Sequence, residues 1–222
     1  MRLHAQHTRM TLTRLPNRRG LYAITDGPRA DLLERATAAL RGGASMLQYR
    51  DKSNAPARRH DEAAALLAIC KVHGALCIIN DDVDLAHAVH AHGVHLGAQD
   101  DDLLHARDTL GRHAIIGVSC YDDLERARAA TRQGADYLAF GAFYPSPSKP
   151  QARCAYPQLL RDARDFGLPL VAIGGITPDN GTDLIAAGAD FLAVISGVFA
   201  APDTEAAARR YSALFTTPIS RP

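Results

Sequence analysis

The feature that most limits what this chain can fold into is a series of eight short apolar runs. They are LYAIT (21–25), SMLQYR (45–50), ALCIIN (75–80), GVHL (93–96), AIIGVS (114–119), DYLAFG (136–141), LPLVAIGG (168–175) and DFLAVIS (190–196). Between most of them lie amphipathic stretches. Residues 30–41 carry Leu32, Leu33, Ala36, Ala39 and Leu40 at three-and-four spacing, and 56–72, 82–91, 101–111, 122–133, 179–187 and 203–214 behave similarly. Eight strand-like runs alternating with helices in 222 residues leave two architectures, a closed (β/α)8 barrel or a doubly wound open sheet.

An internal echo favours the barrel. RGGASMLQ (41–48), AHGVHLG (91–97), RQGADYLAFG (132–141) and AAGADFLAVIS (186–196) share one design, in which a helix ends in Gly and an apolar strand soon begins. Gly at a helix C-terminus supplies the left-handed conformation, and repetition of a βα unit is what a barrel is made of. The expectation is a single (β/α)8 TIM barrel over 20–216, with 217–222 as a tail. Residues 1–19 hold five Arg and no acidic residue, and are expected to form a flexible or loosely attached extension. A transit peptide has a similar composition, whereas the absence of an apolar core region there argues against a secretory signal.

Composition narrows the function. A net charge of +1 argues against nucleic-acid binding through counterion release. No apolar run approaches the ~18 residues of a membrane span. Cys70, Cys77, Cys120 and Cys154 form no CxxC pair, which suits reduced thiols in a cytoplasmic protein. Of 25 basic residues only Lys52, Lys71 and Lys149 are Lys. An ammonium is not interchangeable with a guanidinium fork, and two of these three lie in the segments below.

In a barrel the carboxyl ends of the strands build the active site. The second run ends Gln48-Tyr49-Arg50-Asp51-Lys52; alternation puts Met46, Gln48 and Arg50 on the inward face and Leu47 and Tyr49 on the helix side. The third ends Asn80-Asp81-Asp82, with Asn80 inward beside Leu76 and Ile78. An Asp here can serve Mg2+, which takes one or two carboxylates plus phosphate oxygens and water; Asp82 is better read as a helix N-cap. After the fourth run, one of Asp100, Asp101 and Asp102 could complete a metal site, and spacing does not choose among them. The fifth ends in Ser119. The Pro-rich stretch 145–157, with Ser146, Pro147, Ser148 and Lys149, is expected to be a mobile active-site loop. Gly174-Gly175 and Ile195-Ser196-Gly197 close the seventh and eighth runs, where backbone N–H groups of barrels commonly cradle a phosphate. His87, His90, His92 and His95 fall on a helix, a turn and a strand, so surface and packing roles are expected for them. The chain carries no P-loop, GxGxxG or GxSxG motif.

From about residue 20 to 214 the chain resembles the thiamine-phosphate synthase family. The resemblance is carried by LYAITD, QYRDK, NDDVDLA, GVHLG, GVSCYD, GAFYPSPSK, AIGGITPDN and AVISGVF, in order and at matching spacing. It implies a Mg2+-dependent transferase that condenses 4-amino-2-methyl-5-(diphosphooxymethyl)pyrimidine with 4-methyl-5-(2-phosphoethyl)thiazole, or its carboxylated form. By the same resemblance, residues 48–52 (Gln48, Tyr49, Arg50, Asp51, Lys52), Asn80, Ser119 and Lys149 hold the pyrimidine diphosphate, with Arg50, Lys52 and Lys149 catalytic. Asp81 and Asp100 are the implied metal ligands. Ser146, Pro147, Ser148, Gly175, Ile195 and Ser196 hold the thiazole phosphate. Ser stands at 146 and 148 where the family has Thr, Asp82 where Arg is common, Ala98 where Gln is common, and Gln99 where an acidic residue is usual. A thiazole tautomerase of the same fold, or a noncatalytic phosphate sensor, is the alternative. Neither small-molecule substrate requires a nucleic acid or a membrane, and a homo-oligomer stays open.

Overall fold

The structure is a computed structural model that describes residue 15 and residues 18–97, 102–145 and 155–216. Eight parallel strands close on one another in chain order: β1 (Gly20–Ile24), β2 (Met46–Tyr49), β3 (Leu76–Asn80), β4 (Gly93–Leu96), β5 (Ile115–Tyr121), β6 (Tyr137–Phe140), β7 (Leu170–Ile173) and β8 (Phe191–Val194). The last pairs back to the first through Tyr22↔Ala193 and its neighbours. Around them run α1 (Leu32–Arg41), α2 (Pro56–Val72), α3 (Val83–Ala88), α4 (Asp102–Leu110), α5 (Leu124–Gln133), α6 (Pro157–Ala163), α7 (Gly181–Ala187), α8 (Ser196–Phe199) and α9 (Thr204–Ala213). The fold is therefore the TIM barrel, not the open sheet. The short α6, absent from the periodicity reading, starts at a proline whose missing N–H costs nothing in a first turn.

Side chains divide by alternation. Leu47, Tyr49, Cys77 and Ile79 belong to the large apolar layer between strands and helices, while Met46, Ile78, Ile115, Tyr137, Val171 and Phe191 fill the barrel interior. Leu15 is buried in that interior cluster too. Arg18 bonds the Gly74 carbonyl, and Arg19 bonds the Ala189 carbonyl at 3.1 Å. The described residues just before β1 thus contact the barrel.

The internal echo has a structural cause, and its register differs from the sequence reading. Each even-numbered strand is preceded by a residue that latches onto the odd strand before it. Ser45, His92, Asp136 and Asp190 donate backbone N–H to the carbonyls of Leu21, Cys77, Ile116 and Leu170 at 2.7–3.1 Å. Their side chains add a second bond. Ser45 Oγ donates to Leu21 O (3.3 Å), while His92 Nδ1, Asp136 Oδ2 and Asp190 Oδ2 accept from Cys77, Ile116 and Leu170 N–H at 2.9, 2.8 and 3.0 Å. Two residues before each latch the chain is left-handed: Gly43 (φ 96°), His90 (φ 55°), Gly134 (φ 95°) and Gly188 (φ 123°). Gly93 is therefore not the left-handed residue of its repeat; His90 takes that place. Gly93 begins β4 instead, where a Cβ would sit 1.9 Å from Ile115 O.

Cys70 and Cys77 are buried free thiols, Cys120 is buried, and Cys154 lies outside the described residues. Among the described residues no helix is long and apolar enough to cross a membrane.

Candidate active site

Every sequence-derived site residue that is described lies at the carboxyl end of a strand. Thr25, just past β1, sets the first piece. Its Oγ accepts from Arg50 N–H (2.7 Å) and donates to Arg50 O (3.1 Å), clamping the backbone where β2 ends. The Arg50 side chain is half-buried and makes no hydrogen bond or ion pair with the described residues. The pairing Tyr49↔Ile79 sets Arg50 beside Asn80.

Asn80 Nδ2 donates to Asp81 Oδ2 at 2.7 Å, and Lys52 Nζ stands 3.9 Å from the same oxygen. Lys52 is 65% exposed and Asp81 50%, so the pair is open to a ligand. Asp81 is left-handed (φ 60°), a conformation that Asp tolerates better than most residues. Its N–H is tied to His95 O at 2.8 Å. Its Oδ1 lies 3.2 Å from where a Cβ of Gly97 would be, so the carboxylate leans toward the chain that leads to residues 98–101.

Two members of the 48–52 stretch do not turn toward this mouth. Tyr49 is buried in the helix layer, its hydroxyl donating to Glu62 at 2.6 Å and to Asp51 at 3.3 Å. The Asp51 side chain is fully buried; it accepts from Ser53 N–H (2.8 Å) and from Arg58 (2.7 Å). Burial raises the Asp51 carboxyl, but the Ser53 and Arg58 contacts outweigh it and hold the group below the ordinary carboxylate range. Alternation sends odd positions outward, so these side chains brace the loop that carries Arg50 and Lys52. Asp82 accepts from Leu85 N–H at 2.8 Å and caps α3, and its other oxygen pairs with Arg59 at 2.8 Å.

Across the mouth, Ile173 pairs with Ala193, so Gly175 and Ile195 stand two residues beyond one registered pair. Gly174 (φ 102°) and Gly175 (φ 62°) press on the neighbouring chain; a Cβ at Gly175 would meet Pro145 O at 2.5 Å and Tyr144 O at 2.6 Å. Asn180 holds this turn, accepting from Thr177 N–H (2.8 Å) and donating to Gly175 O (3.1 Å), while Tyr144 donates its hydroxyl to Asn180 O (3.2 Å). Ser196 and Gly197 open α8, where first-turn N–H groups have no acceptor within the helix. Ala155 N–H bonds Ala142 O at 2.7 Å and closes the base of the loop that follows β6. Ser146, Pro147, Ser148, Lys149 and Asp100 lie outside the described residues.

The structure also reveals polar contacts, and the partners Tyr22, Tyr137 and His95, that sequence reasoning missed. Gln48 is buried and donates from Nε2 to Tyr22 Oη at 2.7 Å. Tyr22 and Tyr137 hydroxyls are 2.9 Å apart, Tyr137 Oη is 2.9 Å from His95 Nδ1, and His95 Nε2 is 2.9 Å from Ser119 Oγ. The Tyr137 ring passes over Gly117, where a Cβ would lie 1.9 Å from its Cζ, and His95 stacks on it at 5.6 Å. The sequence signal was present in GVHLG: His95 shares its face with two glycines, which leave room inside the barrel. His95 is thus an interior polar group rather than a surface one.

Burial pushes the His95 imidazole down to about 4, against a smaller upward pull from Asp81. A His with a depressed folded value contributes stability above its unfolded value near 6.5, and that stability is lost as pH falls toward 4. The full shift is worth on the order of 3 kcal/mol. The urea midpoint of the metal-free protein should therefore fall between pH 7 and 4 more steeply than that of His95→Gln. His92, also lowered by burial, is common to both proteins. Parallel pH profiles would contradict the assignment.

The donors suit Mg2+. Asp81 offers an exposed hard oxygen, and no group of three or more His, Cys, Asp or Glu among the described residues forms an all-protein cage. Mg2+ keeps waters and takes one or two carboxylates with substrate phosphates, so a single carboxylate at a cationic rim fits it.

The fold and this rim define a (β/α)8 barrel whose charged and polar groups gather at the carboxyl ends of the strands, the end where barrel enzymes place their sites. The family model for thiamine monophosphate synthase matches residues 21–198, and the chain belongs to that family. The thiamine-phosphate synthase of Thioalkalivibrio sulfidiphilus (strain HL-EbGR7) is 58% identical over 201 residues, covering 89% of this chain and 95% of the relative. That of Halorhodospira halophila (strain DSM 244 / SL1) is 56% identical over 192 residues, 86% and 91% of the two chains. The solved thiamine phosphate pyrophosphorylase from Pyrococcus furiosus is 35% identical, superposes with a TM-score of 0.81, and covers 90% of this chain and 96% of its own.

Proposed function

We propose that the chain is a thiamine-phosphate synthase, a transferase that joins the pyrimidine diphosphate to the thiazole phosphate and releases diphosphate. The observation that carries this reading is the gathering of Arg50 with Lys52, Asn80 and Asp81 on one side of the barrel mouth. The Gly175 turn and the start of α8 stand at the strand ends of β7 and β8. Identity of 58% along 95% of a thiamine-phosphate synthase supports the same chemistry.

The bond from the pyrimidine methylene carbon to the diphosphate oxygen breaks, and its electron pair leaves with the diphosphate. The electron-rich aminopyrimidine bears the resulting cation. The thiazole nitrogen then supplies the pair for the new C–N bond, and no protein nucleophile is needed. Arg50 can bind phosphate oxygens in a bidentate fork, and Lys52 adds a point charge. Lys149 supplies a third cation to the diphosphate. Asp81 and Asp100 would hold Mg2+, which would neutralise charge on the diphosphate. Gln48, Asn80 and Ser119 orient the pyrimidine. Gly175, Ile195 and Ser196, with Ser146, Pro147 and Ser148, seat the thiazole phosphate. Holding both substrates in line is worth up to ~7–11 kcal/mol. Both substrates are small and water-soluble, which suits a cytoplasmic enzyme.

Purified full-length protein given both substrates and Mg2+ should release diphosphate and thiamine phosphate in equal amounts, and omitting either substrate or chelating the metal should stop both. Isomerisation of the thiazole without diphosphate release would replace this reading with a tautomerase.

A further inference from the structure

Five side chains from five strands form one unbroken line of hydrogen bonds through the barrel: Gln48, Tyr22, Tyr137, His95 and Ser119, at 2.7, 2.9, 2.9 and 2.9 Å. Their donors and acceptors can be counted. The Gln48 amide nitrogen donates to Tyr22 Oη, so the one Tyr22 proton must go to Tyr137. The one Tyr137 proton then goes to His95 Nδ1, and a neutral imidazole with Nδ1 accepting carries its proton on Nε2. That proton goes to Ser119 Oγ, whose own O–H is left for the mouth. With the amide in this orientation, any other choice strands an O–H in a buried core.

The two ends are the parts the pyrimidine would meet. Gln48 Oε1 has no partner among the described residues, nor does Ser119 Oγ beyond His95. We propose that Tyr22, Tyr137 and His95 are positioning residues that hold the Gln48 amide with its Oε1 toward the mouth, where it accepts from an exocyclic amine and thereby selects a 4-aminopyrimidine over its 4-oxo counterpart. The inference rests on the synthase reading for the identity of the ligand. The exocyclic amine of an aminopyrimidine is an N–H donor, the complement of that acceptor. The carbonyl of a pyrimidinone would instead face it acceptor to acceptor. To accommodate it, the amide, two tyrosine protons and the imidazole tautomer must all reverse together. Sites built on paired donors and acceptors discriminate far better than apolar pockets of equal size.

The test has two arms. Nitrogen-15 NMR of histidine-labelled full-length protein, with His95 assigned by comparison with His95→Gln, should show the neutral Nε2–H tautomer at pH 7. A Nδ1–H tautomer, or an even mixture, overturns the proposal. In the second arm Tyr137→Phe should raise the KM for the aminopyrimidine diphosphate ~10-fold, the scale of one lost hydrogen bond. The KM for the thiazole phosphate should stay unchanged, and the preference for the amino over the oxo compound should narrow. Unchanged preference overturns the proposal. Tyr22→Phe cuts the same line at its next joint and serves if Tyr137→Phe fails to fold. Failure of the wild type to release diphosphate would instead count against the synthase reading, and would leave the tautomer result standing on its own.

Discussion

Asp81→Asn is expected to lower turnover at least ~100-fold while the protein melts as the wild type does. The loss is of the size found when one group aimed at developing charge is removed. Asn retains the shape of Asp and its tolerance of the left-handed backbone that residue 81 adopts (φ 60°), so the fold is spared. What goes is the negative oxygen that Asn80 orients at 2.7 Å and that faces Lys52 at 3.9 Å. The same variant should need more Mg2+ to reach half its maximal rate. Asp81→Ala should lose as much activity and also about 1 kcal/mol of stability, since Ala has no polar side chain to support the left-handed conformation. Turnover and Mg2+ titration, read beside a thermal melt, check both variants. Near-wild-type turnover of Asp81→Asn at equal Mg2+ would remove Asp81 from the proposed metal site.

Asp136→Ala should do the opposite: unfold the protein easily yet leave the folded fraction active. Asp136 sits at the amino end of β6, at the far end of the barrel from the site. Its nearly buried carboxylate accepts from Arg107 at 2.6 Å and from Ile116 N–H at 2.8 Å. Removing it leaves a buried N–H without its acceptor and a half-buried guanidinium without its counterion. Breaking such a pair from one side costs roughly 3–5 kcal/mol, or about 10 °C in melting temperature for a chain of this size. Asp136→Asn should lose less, because its carbonyl can still accept from Ile116. Activity per folded molecule, measured well below the melting temperature, should match the wild type. A melt within about 2 °C of wild type would show that the latch adds little to stability.

These two aspartates also mark how far the sequence alone could be read. The barrel was legible because strand alternation and helix periodicity are local properties that hydrophobic burial turns directly into faces: Met46 and Gln48 point in, Leu47 and Tyr49 point out. Asp82 as a cap was legible for the same reason, since a cap is made within three residues of itself. The helix-ending glycines were legible in three repeats. The fourth misled, because His90 takes the left-handed place and Gly93 answers to Ile115 on the next strand.

Contacts that depend on distant partners could not be read that way. Asp136 in GAD is one letter among 24 acidic residues until β5 supplies Ile116 N–H. Tyr22 and Tyr137 are 115 positions apart, and only closure of the sheet brings their hydroxyls to 2.9 Å. Asp51 and Tyr49 share the rim segment with Arg50 and Lys52, yet helix α2 claims their side chains through Glu62 and Arg58. Residue order determined the strands, their inward faces and the family to which the chain belongs. Tertiary structure decided which polar groups meet, because hydrogen bonds are short and directional, and their partners are chosen by chain closure rather than by neighbours in sequence.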